Sequence, residues 1–317
     1  MRYIISCFLA SFPFATLAEV PRVITDIPPI HALVSQVMGG LGAPVLLLEK
    51  GADEHDFQLR PSQMANITQA DLVVWIGPEL TPWLERALES AKPEYVSVAL
   101  IDLPGTLTIA GGEDEHDHAA EGEGEGEGVD AEGQAHSEGE DHAHGGVDPH
   151  VWLNPQNAVF WLDTIAAELA KADAANAPSY FANATVAKAR VVALDSELQV
   201  LLDPIKDRPF VTFHDAYGYF VAHYGLSFAG SVALGDASAP GAARLRELQD
   251  TMGRGVVCAF PEVQHDPALL LQLLDGTDVR AGAEIDPVGS SLPFGPDAYD
   301  TLMRSLATHL VDCLARP

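Results

Sequence analysis

The chain has 317 residues, room for two domains of ordinary size, and a formal net charge of −29 from 17 Lys and Arg against 46 Asp and Glu. That excess of anionic groups excludes nucleic acid and anionic membrane surfaces as partners and suits a protein that handles cations. After the first residues, no stretch is long and apolar enough to read as a transmembrane helix.

Residues 1–18 read as a secretory signal peptide, with Arg2 as the positive end, a mostly apolar run from Tyr3 to Phe14, and small residues at Thr16-Leu17-Ala18. The mature chain is expected to start near Glu19, exported and soluble. Cys7 lies inside the apolar run rather than at its end, so it does not read as a lipid-attachment cysteine.

Hydrophobic patterning then predicts strands at Val23–Asp26, Val45–Leu48, Asp71–Ile76 and Tyr95–Ala99. Helical patterns fall between them at Ile30–Met38, Ser62–Gln69 and Leu80–Ala91. This alternation is that of an α/β lobe with a mostly parallel sheet. Between the second strand and its helix lies Gly51-Ala52-Asp53-Glu54-His55-Asp56-Phe57-Gln58-Leu59-Arg60-Pro61. His55 is thus on a loop at the carboxyl end of a strand, where open α/β sheets place ligands. Glu54 and Asp56 flank it, as around a divalent-cation ligand, although a solvated loop His has the same local sequence.

Glu113 to Gly146 is low-complexity: acidic residues and glycines with five His, at 116, 118, 136, 142 and 144, and no Lys or Arg. Such a segment cannot bury a core. Its histidines read as weak, exchangeable metal donors, against a simple solubilising linker. Periodic structure continues on both sides, so the segment is an insertion within a lobe.

Asp148-Pro149-His150-Val151-Trp152-Leu153-Asn154-Pro155 follows, and its two bracketing prolines predict a short extended piece that holds His150 rigidly. A helix is predicted from Pro155 to about Lys171. A second, from Ala177 to about Leu202, carries Ala187, Val191, Leu194, Leu198 and Leu201 at steps of three and four. At 1.5 Å per residue the second helix is nearly 40 Å long, enough to run from one lobe to another.

The last third repeats the alternation, with strands at Pro209–Phe213, Ser227–Val232, Val256–Phe260 and Val279–Ala283 and helices at Ala242–Met252, Pro267–Leu274 and Asp297–Leu314. His214 stands at the carboxyl end of the first of these strands, and Asp286 follows the last. Cys258 and Cys313 remain after the signal, an even number in an oxidising compartment. They either form a disulfide tying the last helix to its sheet or remain two buried thiols.

His55, His150 and His214 therefore stand beside strand ends or helix starts of two α/β units, the arrangement of a cleft between lobes. Three neutral imidazoles and one oxygen donor suit zinc. Glu54 and Asp286 are the candidate oxygens. Each His needs an acceptor for its other ring nitrogen, and Asp56 and Asp215 are nearby in sequence. His31, His223, His265 and His309 receive no ligand role.

Glu54-His55-Asp56-Phe57-Gln58-Leu59-Arg60-Pro61-Ser62 and Ala70-Asp71-Leu72-Val73-Val74-Trp75-Ile76-Gly77-Pro78-Glu79 resemble the zinc-binding subunit of bacterial zinc ABC importers. These belong to the metal-specific periplasmic solute-binding proteins of cluster A-I, also called cluster 9. Asp148 to Leu153, Phe213 to Tyr219 and Asp286 to Gly289 are similar to the family's later motifs, and the acidic His-rich insertion is typical of its zinc members. The resemblance covers essentially the whole mature chain.

It implies two α/β lobes, residues 19–177 and 204–317, joined by one long helix at 178–203, with one metal in the cleft between them. It also implies a periplasmic monomer that delivers Zn(II) to a membrane permease driven by an ATPase. Manganese relatives carry Glu at the third ligand position, where this chain has His214, which favours zinc over a manganese-binding member. Glu54 is the first choice for the fourth ligand, since zinc members with Glu before the first His use it; Asp286 matches the carboxylate of manganese relatives. Cys258 and Cys313 match a cysteine pair of zinc members.

A zinc hydrolase is the competing class, because three ligands and an open position activate water. The chain has no H-E-x-x-H and no nucleophile elbow. Glu54 would be its general base only if it were not a ligand.

The insertion generates the first prediction. Ordering flexible acids and imidazoles around an ion costs chain entropy, so its sites are weaker than a preorganised cleft. Deleting 113–146 should lower total zinc stoichiometry in a calorimetric titration and leave one tight site. Loss of the tight site with the fold intact would make the insertion part of the primary site.

Overall fold

The computed structural model describes residues 20–91, 95–111, 146–233 and 241–316; the signal segment and all of the insertion but Gly146 lie outside the described residues. The first sheet is built from β1 (Val23–Thr25), β2 (Val45–Leu46), β3 (Leu72–Trp75) and β4 (Val96–Ala99), in the order β2-β1-β3-β4 with every pair parallel. β1 and β3 are buried along their whole length, as central strands of a two-sided parallel sheet must be. Val45 and Val96 on the two edge strands are exposed. The connecting helices are α1 (Pro28–Met38), α2 (Pro61–Thr68) and α3 (Pro82–Ala91). Pro28, Pro61 and Pro82 each occupy a helix's first position, where the missing N–H leaves no helical bond unmade.

Two long helices follow, α4 (Pro155–Ala172) and α5 (Ala177–Leu202). Asn154 caps α4 by accepting the Gln156 N–H at 2.9 Å. α5 buries Tyr180, Ala184, Ala187, Val191, Leu194, Leu198 and Leu202, one stripe at steps of three and four.

The second sheet consists of β5 (Phe210–Thr212), β6 (Phe228–Ser231), β7 (Cys258–Phe260) and β8 (Arg280–Ala281), in the order β6-β5-β7-β8 and again parallel throughout. Its helices are α6 (Gly218–Tyr224), α7 (Ala242–Met252), α8 (Ala268–Leu274) and α9 (Ala298–Leu314). Both sheets thus place their strands in the same sequence: second, first, third, fourth. Each has a switch point between its first and third strands, beyond whose carboxyl ends a ligand can sit.

One buried cluster runs through both halves, from Val23 and Leu33 through Trp152 and Trp161 to Phe210, Phe260 and Leu310. α5 packs on α1, α4 and α9, so it touches helices that flank both sheets. From its middle, the Arg190 guanidinium donates to Asp300 at 2.6 Å and Asp297 at 2.7 Å at the start of α9.

The segment from Pro149 to Pro155 is not extended, as the sequence had suggested. Val151–Leu153 is a turn of 3₁₀ helix. The Asp148 carboxylate accepts the His150 N–H at 2.9 Å, and the Leu153 N–H reaches the His150 carbonyl at 3.1 Å. Those local bonds curl the chain where the prolines alone allow extension. The edge strands β2 and β8 are shorter than the apolar runs that announce them. The ladder beside β2 still continues, with the Leu48 N–H on the Asp26 carbonyl at 3.0 Å.

Cys258 in β7 and Cys313 in α9 form a disulfide, with Cα atoms 6.3 Å apart and a sequence separation of 55. Both cysteines are buried. Closing a loop of that length stabilises the fold by about 4 kcal/mol in the chain-entropy model. Cys258→Ala/Cys313→Ala should lower the unfolding free energy toward that extent, read from denaturant midpoints at constant slope. A midpoint unchanged between the oxidised parent and this variant would show that the crosslink contributes nothing.

Candidate metal centre

Each of the three histidines is held by its own loop. After β2, the Asp53 carboxylate accepts the His55 N–H at 2.8 Å, and the Trp83 indole N–H of α3 donates to the Glu54 carbonyl at 2.8 Å. Phe57 stands edge-on to Trp83 with ring centres 5.1 Å apart. The same loop touches the last part of the chain, where the Gly51 N–H donates to the Ser290 carbonyl at 3.0 Å.

His150 sits on the 3₁₀ turn, fully buried against Trp152. Its Nδ1 meets the Asp148 Oδ1 at 2.7 Å. The Tyr219 hydroxyl holds the Asp148 carbonyl at 2.7 Å, and the Trp152 indole N–H donates to Pro287 at 2.9 Å. A Cβ on Gly218 would come within 2.9 Å of the Asp148 carboxylate, so α6 starts with glycine where it must pass close to that acid.

His214 follows β5 and is also buried. Its Nδ1 bonds the Glu262 carboxylate, which also accepts the His214 N–H at 3.2 Å and the Tyr217 hydroxyl at 3.1 Å. With Nδ1 of His150 and of His214 committed to a carboxylate, each ring carries its metal-binding lone pair on Nε2.

These rings converge. His55 Nε2 and His150 Nε2 are 3.2 Å apart. Ring centres are separated by 5.2 Å for His55–His150, 5.4 Å for His150–His214 and 6.2 Å for His55–His214. One ligand atom from each of Glu54, His55, His150 and His214 lies within 4.8 Å of the others. Two nitrogens sharing one tetrahedral zinc stand about 3.3 Å apart, so the set is of the right chemistry and close to the right size.

Electrostatics favour a cation there. Glu54 is buried, and its Oε1 has no hydrogen-bond partner among the described residues. Desolvation raises its pKa to about 8, against the opposing pull of His214 and His150. Desolvation first, and then the neighbouring His150, His214 and His265, hold the His55 imidazole well below its ordinary pKa. The His55 ring is therefore neutral and ready to coordinate, while the Glu54 carboxyl keeps its proton until a cation replaces it.

Other candidates fall elsewhere. Asp286 is not in the group: its carboxylate accepts the N–H groups of Gly289 at 2.8 Å, Ser290 at 3.2 Å and Ser291 at 2.8 Å and the Gln264 amide at 2.7 Å, so it builds the loop after β8. The acceptors behind His150 and His214 are Asp148 and Glu262, in place of Asp56 and Asp215. Asp215 stands near Asp148; burial and then that acid raise its pKa. Sequence reasoning passed over Glu262, although it lies just beyond β7, at the same kind of strand end that drew notice to His214. His265 also comes close, with its ring centre 5.5 Å from that of His214. His223 pairs with Asp195 at 2.7 Å, away from the group.

The family model of the zinc-uptake complex component A, periplasmic (ZnuA), matches residues 23–313. The chain belongs to this family. It is 50% identical to the high-affinity zinc uptake system protein ZnuA of Paracoccus denitrificans over 98% of this chain and 97% of that one. The Brucella suis protein of the same description is 38% identical over 99% and 98%. A crystal structure of ZnuA superposes with a TM-score of 0.72 at 23% identity, covering 93% of this chain and 99% of that one, and supports the two-sheet fold. The family is one of periplasmic metal-binding proteins rather than a class of enzymes, and it favours zinc over manganese as the cargo. Among the described residues no helix is long and apolar enough to cross a membrane.

The raised Glu54 pKa has a measurable consequence. Between about pH 4.5 and pH 8 the folded apo protein holds a proton on Glu54 that the unfolded chain does not, so this group makes the apo fold less stable as pH rises through that window. A cation held by Glu54 would expel the same proton. Zinc binding at pH 7 should release about one proton in calorimetry across buffers of different ionisation enthalpy, fading above about pH 9. Glu54→Gln should abolish the release; release undiminished in that variant would assign the proton to another group.

Proposed function

We propose that this chain captures Zn(II) in the periplasm with high affinity and delivers it, as a monomer, to the permease of an ABC importer driven by its ATPase. The observation that carries this reading is the convergence of His55, His150, His214 and buried Glu54 on one volume. Three neutral imidazoles and a carboxylate give zinc its preferred tetrahedral, nitrogen-rich shell. His214 in place of a carboxylate at the third ligand position disfavours manganese, which prefers oxygen donors. The descriptions of the Paracoccus and Brucella relatives, both zinc uptake proteins, support the same cargo.

Binding without catalysis follows from the fourth donor. A hydrolytic zinc needs an open position for water and a base beside it. Here Glu54 is within ligand reach and closes that position. We also propose that residues 19–177 and 204–317 act as two lobes and 178–203 as their link. His55 and Glu54 follow β2, His150 precedes α4, and His214 follows β5 beyond the long helix. Separating the halves would pull His214 from the other three, a direct way to release a tightly held ion at the permease.

Removing one imidazole should leave three donors and a weak site. His214→Ala is expected to weaken zinc binding by at least about a hundredfold in competition with a chelator, with an unchanged circular dichroism spectrum. It should also fail to restore growth in limiting zinc to cells lacking the parent gene. Unchanged affinity in the folded variant would remove His214 from the site.

A further inference from the structure

A second group of donors adjoins the first. His265 lies just beyond β7 and is half-buried, beside the His214 ring. Its ring stacks on Phe213 with centres 4.4 Å apart and planes inclined by 19°. That contact aims Nε2 toward the Glu262 carboxylate, 3.8 Å away. The separation exceeds a hydrogen bond and is a few tenths of an ångström wider than the span of a nitrogen and an oxygen on one tetrahedral zinc, about 3.4 Å. One ligand atom from each of His214, Glu262 and His265 lies within 4.8 Å of the others. Glu262 therefore faces His214 and His265 together, while the latter is the more exposed of the two rings.

We propose that His265 and Glu262 form a staging site that receives Zn(II) first and passes it to His214. The inference rests on the zinc reading above. A hydrated zinc entering a buried site must exchange its waters for protein donors, and a bare ion between the two would be prohibitively unfavourable. His265, the partly exposed member of the pair, replaces some of those waters early, and the buried Glu262 draws the ion inward. The ion then moves from His265 to the His214 Nε2 by single ligand exchanges, and Glu262 returns to the His214 Nδ1–H. No bond other than the metal's own coordination changes. Because His265 binds the ion only in transit, it speeds arrival and departure equally and leaves the equilibrium affinity alone.

The test is stopped-flow zinc exchange with a fluorescent chelator, using the full mature chain and Zn(II) itself. His265→Ala should slow both uptake and release on the order of tenfold, with the equilibrium affinity kept within about twofold. His265→Asp, which retains a donor, should recover much of the rate. His265→Phe, which retains the stack on Phe213 without a donor, should not. Unchanged rates in the Ala variant would overturn the proposal. So would weaker affinity arising from faster release alone, which makes His265 a ligand of the final site, or recovery by Phe and not by Asp, which makes its role packing. A parent protein without tight zinc binding would instead overturn the function proposed above.

Discussion

The bond between the His214 imidazole and the Glu262 carboxylate depends on how two strands are paired. Thr212 of β5 lies opposite Phe260 of β7, and His214 and Glu262 each stand two residues further along. Parallel register therefore sets the acid beside the ring, and a slip of one residue would turn one of the two to the other face. Glu262 is completely buried, which is tolerable because the His214 ring, the His214 N–H and the Tyr217 hydroxyl all donate to it. Asp148 does the same for His150 within a single turn. Aim and tautomer of these two imidazoles thus come from buried acids that lie outside the Glu54, His55, His150 and His214 group.

Bringing three imidazoles and a carboxyl group together out of water is unfavourable unless most of them are neutral. The site meets that condition by suppressing protonation of His55 and keeping a proton on Glu54, whose pKa is raised to about 8. A divalent cation reverses the balance: it compensates the Glu54 charge and satisfies the ring nitrogens at once. The remainder of the fold keeps these groups apart from solvent without letting them collapse. α5 and the continuous core brace the two sheets, and the loop after β8, organised on Asp286, closes against the His55 loop through Gly51 and Ser290.

Much of this was legible in the sequence. Strands and helices alternate where hydrophobic period and proline punctuation say they should, and His55 and His214 stand beyond strand ends. The resemblance to zinc-importer subunits puts Glu54 ahead of Asp286, and Glu54 is the one whose ligand atom lies within 4.8 Å of those of the three histidines. What escaped depends on cross-strand pairing. Glu262 is far from His214 in sequence, and only the β5–β7 register makes them neighbours. His265 reads as a turn residue until the same register carries it toward the cleft. Asp286 has the right residue type and position for a ligand, yet successive N–H groups of its own loop take its carboxylate. The 3₁₀ turn at Val151–Leu153 was hidden because a side chain, Asp148, bends the backbone there.

We propose that one zinc is held by three imidazole nitrogens and the Glu54 carboxylate. X-ray absorption at the zinc edge, on the singly loaded protein and on Glu54→Gln, tests it most directly. Four light donors at about 2.0–2.1 Å, with multiple scattering from three imidazoles, and a changed oxygen shell in the variant are expected. Two imidazoles with an oxygen-rich, six-coordinate shell, or a spectrum identical in Glu54→Gln, would contradict it.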